Sequence, residues 1–342
     1  DSIVTASVLR RGDEDRPEWL SSILASPAAS VVVLAPHPDD ESIAAAGLIQ
    51  LARSAGARVT VVLLTDGDNN PWPQRMLERR IRIGEGDRER WGTRRRDESR
   101  AALALLDVPE SAIAHLGLPD LGLTDRLLSK MDATLAMLCG VFQDTAPTLV
   151  VAPALADRHP DHSAAYVLCS IALTKCASGA QLVSYVVHGD ADASSIELAL
   201  DGAVRARKLQ AVAEYRTQLA LSWRRIMAYA QRPERFGLEQ YGGASLIPVA
   251  SRLPWRIGKV AASTANLILA TAERTVLLPV ESPIRVRRDA DSVRCIREDD
   301  GHLALYVPDG ERPRAPVFVK LVSRVPSLGI DDAWGWARID GG

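Results

Sequence analysis

A chain of 342 residues with 47% hydrophobic residues, 25% charged residues and a formal net charge of -2 has the composition of an ordinary globular protein, long enough for one large α/β domain and a smaller module. The near-neutral charge names no polyanionic partner, so no nucleic acid is expected, and no run of about 18 apolar residues suggests a membrane span. Four scattered cysteines (Cys139, Cys169, Cys176, Cys295) contain no CxxC pair; they are expected as reduced, partly buried thiols in a cytoplasmic chain. The first residue is Asp1, as in a trimmed or a processed chain.

Residues 1–29 read as a polar, irregular N-terminal extension. The run Ser30-Val-Val-Val-Leu-Ala-Pro36 is short, β-branched and stopped by proline, which predicts a buried strand. Residues 41–55 carry apolar positions at helical spacing, and Val59–Thr65 is a second buried strand closed by Asp66-Gly67. Residues 69–96 are too long for a plain connection and rich in arginine; they read equally as a lid or as a solvated basic insertion, and their charge hints at an anionic substrate. Further elements are predicted as helices over 94–106 and 124–143, strands over 113–116, 148–152 and 182–187, and helices after His162 and over 202–219. Strands alternating with long helices imply a Rossmann-like, mainly parallel sheet with helices on both faces, over residues 30–244. Residues 245–342 switch to short β-rich runs, with strands expected over 274–280, 284–287, 303–307 and 317–322 in a small antiparallel module.

Two segments carry the chemistry. Pro36-His37-Pro38-Asp39-Asp40-Glu41 follows the first strand, and Asp157-Arg158-His159-Pro160-Asp161-His162 follows the strand near Ala152. Both lie beyond the carboxyl ends of strands, where active sites of open parallel sheets form. Each mixes imidazole with carboxylate, the ligand set of a catalytic zinc site that leaves one position open. The same set also suits Fe2+. Either segment alone reads equally well as a Pro/Asp turn with a His–Asp pair; two of them, each following a buried strand, favour a metal site. The adjacent carboxylates Asp39 and Asp40 suit a division between proton acceptor and ligand.

At these residues the chain resembles the LmbE-like or PIG-L family of zinc-dependent N-acetylglucosaminyl deacetylases, whose (A/P)HPDDE and HPDH motifs stand intact at residues 36–41 and 159–162. The resemblance implies His37, Asp40 and His162 as zinc ligands and Asp39 as the general base for the attacking water. It further implies His159 as the group that stabilises the oxyanion or protonates the leaving amine, with Asp161 orienting it. Weaker likeness extends over residues 30–220. There it implies substrate contacts at Asp68, Arg95 and Asp120, with Glu98 as a partner of Arg95; Leu121 stands after Asp120 where the family usually has Gly. Lys208, Tyr215 and Gln218 are similar to a late helical pattern of the family, or to an ordinary amphipathic helix.

The implied function is removal of an acetyl group from an N-acetylated amino sugar or glycoconjugate, a small-molecule substrate. An amidase of the same fold acting on a larger amide, such as a thiol conjugate, is the alternative. A non-catalytic sugar-binding protein is the remote one, since a binding module has no need of Asp39 beside Asp40.

Overall fold

The structure, a computed structural model, describes residues 17–176, 179–242, 245–281, 292–323 and 334–341. These residues fall into two compact units. One comprises described residues within 1–122, 140–154 and 178–239, and the other those within 123–139, 155–177 and 240–342. Compactness thus groups two segments of the expected 30–244 domain with the C-terminal residues.

The first unit is built on a seven-stranded sheet of β1 (Ser30–Ala35), β2 (Arg58–Thr65), β3 (Ile113–Leu118), β4 (Leu149–Pro153), β5 (Gln181–Tyr185), β6 (Ile196–Leu198) and β7 (Glu234–Glu239), in the order β3-β2-β1-β4-β5-β7-β6. The first five strands run parallel, with Val31 opposite both Val59 and Leu149. β7 is antiparallel to both β5 and β6. β1 is buried along its whole length, as a parallel strand covered by helices must be. The expected mostly parallel α/β sheet flanked by helices is therefore present, with an antiparallel edge that was not anticipated.

Three local expectations are corrected. The N-terminal extension is not wholly irregular: Glu18–Leu24 is a helix whose Leu20 and Leu24 enter the first unit's core, with Trp19 edge-on to Phe236 at 6.4 Å. Residues 69–96 are not one long loop but the helix Pro71–Glu78 and the first half of the helix Glu85–Leu105. Pro71 starts the former and the Asn70 side chain accepts from the Trp72 amide, a favourable N-terminus. The helix expected over 202–219 divides into Gly202–Ala213 and Arg216–Gln231.

In the second unit the residues after 240 form another seven-stranded sheet. Its strands are β8 (Ala250–Arg256), β9 (Ala265–Ala270), β10 (Thr275–Glu281), β11 (Arg294–Arg297), β12 (His302–Tyr306), β13 (Val317–Ser323) and β14 (Trp336–Ile339), ordered β14-β13-β9-β10-β11-β12-β8. Its pairs are antiparallel except β10–β11, which is parallel. The strand expected over 284–287 lies outside the described residues. This unit has its own core, including Ile247, Leu267, Leu303 and Leu321.

The cysteine expectation is also corrected. Cys139 and Cys176 form a disulfide with Cα atoms 6.0 Å apart, while Cys169 and Cys295 are free and buried. The bond joins the helices Met131–Thr145 and Pro160–Cys176, which bring together two cysteines that sequence spacing left isolated.

Candidate functional site

The first motif occupies the turn from β1 into the helix Asp40–Ser54. Pro36 offers its carbonyl to the amide (3.0 Å) and hydroxyl (2.8 Å) of Thr65, tying the turn to the end of β2. Asp40, in the first helical turn, accepts from the His37 amide at 2.9 Å and faces His37 Nδ1 at 3.3 Å. The other ring nitrogen, Nε2, meets Asp120 at 3.2 Å, and Asp120 also accepts from the Asn69 amide at 2.7 Å. Burial pushes the Asp120 carboxyl up, but the hydrogen bond and charge of His37 outweigh it and hold Asp120 below the usual carboxylate range.

Asp39 stands between these groups in a backbone conformation with φ 128°, ψ -28°, where a residue with a Cβ is strained. Its amide donates to Glu41 Oε2 at 3.2 Å. Glu41 is itself fully buried and accepts from the Tyr215 hydroxyl in a short contact and from Ser42 Oγ at 2.9 Å. Burial, then the neighbouring Asp40 charge, pushes the Asp39 carboxyl up to about 8, against the pull of Arg95. Burial also raises Glu41. A buried carboxyl that readily takes a proton is the property a general base requires.

Arg95 is buried, and its guanidinium donates to the carbonyls of Gly67 (2.5 Å) and Pro38 (2.6 Å), with Asp39 Oδ1 at 3.6 Å. Gly67 has φ +60°, and a Cβ there would lie 1.7 Å from Arg95 Nη1, so only glycine admits the arginine. Glu98, expected beside Arg95, instead receives the Thr217 amide at 3.0 Å and its hydroxyl in a short contact, with Arg94 at 3.7 Å. Asp68 is half-buried at the end of β2, its carboxyl raised by burial and then by the charges of Asp120 and Asp66.

The second motif lies in the second unit, at the start of the helix Pro160–Cys176. Asp157 faces His162 Nδ1 at 3.2 Å with both side chains fully buried. With Asp157 accepting from Nδ1, the lone pair is on Nε2, the tautomer a metal-ligating histidine needs. The Asp157 carboxylate also accepts from the His159 amide at 2.9 Å. His159 Nδ1 accepts from the Asp161 amide at 3.2 Å, so the neutral ring carries its proton on Nε2 as a donor. The Asp161 carboxylate accepts from the Leu123 amide at 3.1 Å.

Sequence reasoning assigned no role to Tyr215 on Glu41, to Asp157 on His162, or to His188 just beyond β5. Asp157 had a usable signal, an acid two residues before HPDH. Tyr215 stood out only as part of a late helical pattern, and nothing linked it to Glu41, 174 residues away. His37, Asp40, Asp120 and His188 of the first unit, and His159, Asp161 and His162 of the second, carry donor atoms suited to a metal ion.

Residues 32–173 match the family model described as PIG-L, GlcNAc-PI de-N-acetylase. No curated protein matches the chain. Among solved structures, a triple mutant of a deacetylase of the teicoplanin biosynthetic pathway is 21% identical, with 61% of this chain and 96% of that one covered at a TM-score of 0.48. The N,N'-diacetylchitobiose deacetylase from Pyrococcus horikoshii is 20% identical, with 65% and 89% covered and a TM-score of 0.48. GalB, the 4-carboxy-2-hydroxymuconate hydratase from Pseudomonas putida, is 18% identical, with 62% and 95% covered and a TM-score of 0.45. Residues 32–173, which hold both motif loops intact, are a PIG-L (LmbE-like) deacetylase-family domain.

Proposed function

We propose that this chain is a zinc-dependent de-N-acetylase that releases acetate from an N-acetylated amino sugar or glycoconjugate, with residues 30–244 as its catalytic portion. The observation that carries the reading is the pairing of His37 Nδ1 and Asp40 Oδ2 at 3.3 Å beside the buried carboxyl of Asp39. Two ligands at about 2.1 Å around a tetrahedral ion lie about 3.4 Å apart, a spacing close to that of this pair, which supports reading both as ligands.

His37, Asp40 and His162 would hold the ion. β1 and β4 are adjacent parallel strands, and the loops after them carry the two motifs, which supports a shared task. Bound there, zinc, or Fe2+ with the same donors, would supply Lewis acidity toward the acetamide carbonyl and lower the pKa of water. Asp39 takes the proton from the attacking water as its oxygen bonds to the carbonyl carbon. His159 donates a hydrogen bond from Nε2 to the developing oxyanion, and the proton held by Asp39 passes to the departing nitrogen, so the C–N bond breaks to acetate and a free amine. Asp68, Arg95 and Asp120 are proposed to line the substrate; Arg95 also fixes the Pro38–Asp39 turn.

The test pairs Asp39→Asn with elemental analysis and acetate release. The variant should retain the parental metal content while losing about 10²- to 10⁴-fold in turnover, the usual contribution of one acid–base group. Parental turnover in Asp39→Asn would contradict the assignment. Cleavage of bulky amides in place of acetate release would move the substrate to the larger-amide class. The cytoplasmic location read from the sequence stays a proposal, with the Cys139–Cys176 disulfide weighing against it, since such bonds persist chiefly in oxidising compartments. Among the described residues no helix is long and apolar enough to cross a membrane.

A further inference from the structure

Residues 71–90 and the helix Arg216–Gln231 take no part in the chemistry above, yet together they carry an unusual set of exposed side chains. The helix Pro71–Glu78 packs against Arg216–Gln231, both in the first unit. Pro73 and Gln74 take its inward face, which leaves Trp72 and Met76, one turn apart, outward. Ile81 is 89% exposed, Trp72 66%, Trp223 59% and Leu221 52%, with Met76 and Leu77 also exposed. Non-helical angles at Ser222 interrupt the second helix between Leu221 and Trp223. Six large apolar side chains on two adjoining helices and the loop after the first exceed the scattered exposure of an ordinary surface.

The same two segments are strongly positive although the whole chain carries -2. Over residues 71–90 and 216–231 nine arginines accompany four carboxylates, and the helix Arg216–Gln231 contains no acid. Glu78 and Asp87 are taken by Arg80 and Arg90. Arg79, Arg82, Arg88 and Arg224 form no ion pair among the described residues, and Arg75 lies over the Trp72 ring at 4.9 Å.

We propose that this face docks on the surface of a bilayer containing anionic lipid, holding the chain peripherally at the membrane. Tryptophan favours the headgroup level, where its ring is buried and its N–H stays wet, and the aliphatic side chains gain by entering the acyl boundary. Unpaired arginines meet the anionic headgroups. A second copy of the chain would set arginine against arginine, which costs energy rather than gaining it. A nucleic acid would use the arginines and tryptophans but leave Ile81, Leu77 and Leu221 without a partner. Both helices spring from the candidate site: the chain enters the first just past Asn69, which bonds Asp120, and the second just past Tyr215, which bonds Glu41. Docking therefore brings the site's surroundings to the lipid surface.

The experiment is co-sedimentation of the full chain with vesicles of phosphatidylcholine alone or mixed with phosphatidylglycerol, at low and high salt. The proposal expects pelleting with the mixed vesicles, little with phosphatidylcholine alone, and release at high salt. Arg224→Gln and Arg225→Gln should each weaken binding about fivefold, and the pair Trp72→Ser, Trp223→Ser on the order of tenfold, with unchanged circular dichroism because all four side chains are exposed. Absence of pelleting with either vesicle overturns the proposal, as does binding that none of these variants weakens. So does a result in which the tryptophan pair alters only self-association, or in which the face retains single-stranded DNA but no vesicle.

Discussion

Asp39 occupies a backbone conformation that disfavours any side chain, and it is the residue to which the proposed mechanism gives the proton. Strain of this kind costs about 1–3 kcal/mol and persists only where surroundings enforce it. Here the enforcement comes from the Glu41 carboxylate under the Asp39 amide, itself held by Tyr215 and Ser42. Tyr215→Phe should accordingly keep metal content and KM while lowering kcat by about 10- to 100-fold, the equivalent of a hydrogen bond to a charged group. A rise in KM with kcat intact would assign Tyr215 to substrate binding instead. The imidazole and carboxylate donors were legible in the sequence because HPDDE and HPDH are contiguous. Their supports were not: Glu41–Tyr215 and Arg95–Gly67 are contacts of the folded chain, invisible to spacing.

Among the elements, β1, β2 and β4 could be read directly, since β1 and β4 are buried along their whole length and β2 is buried from Val61 to Thr65. The helix Glu85–Leu105 could be read only from about Arg94 onward. Its buried positions are Trp91, Gly92, Arg95, Glu98, Ser99, Ala102 and Leu103, and with Arg95, Glu98 and Ser99 in the middle of that stripe the apolar period that marks a helix is interrupted. The helix Asp40–Ser54 shows a related device. Glu234 from β7 accepts from the Gly47 amide at 2.7 Å and the Leu48 amide at 3.1 Å, and Lys208 neutralises it at 2.9 Å with both side chains buried. Lys208 thus has a structural task that the amphipathic pattern alone left open. Removing one partner of a buried pair costs about 3–5 kcal/mol, so Lys208→Met should lower the urea-unfolding free energy by that amount. A change under about 1 kcal/mol would show that Glu234 does not depend on Lys208.

For the whole molecule, the two units each carry a sheet and a core of their own, and the second unit is cross-linked by Cys139–Cys176 across 37 residues. Closing a loop of that length in the unfolded chain is worth about 3–4 kcal/mol. Denatured, non-reduced protein should therefore expose two reactive thiols, Cys169 and Cys295, and reduction should lower the unfolding midpoint; four thiols without reductant would refute the bond. In the native state both thiols should react slowly, since burial pushes the Cys295 thiol up to about 12 and Cys169 higher still. Fold class was legible at this scale through alternating strands and helices. The grouping of residues 123–139 and 155–177 with the C-terminal unit was not, because it depends on packing between segments far apart in the chain.

The most direct test of the central claim is acetate release from a panel of N-acetylhexosamine compounds, measured on protein of known metal content before and after chelation and after readdition of zinc. The account predicts one zinc per chain, acetate release that chelation abolishes and zinc restores, and Asp39→Asn that binds zinc without releasing acetate. Acetate release that survives complete removal of metal would contradict it.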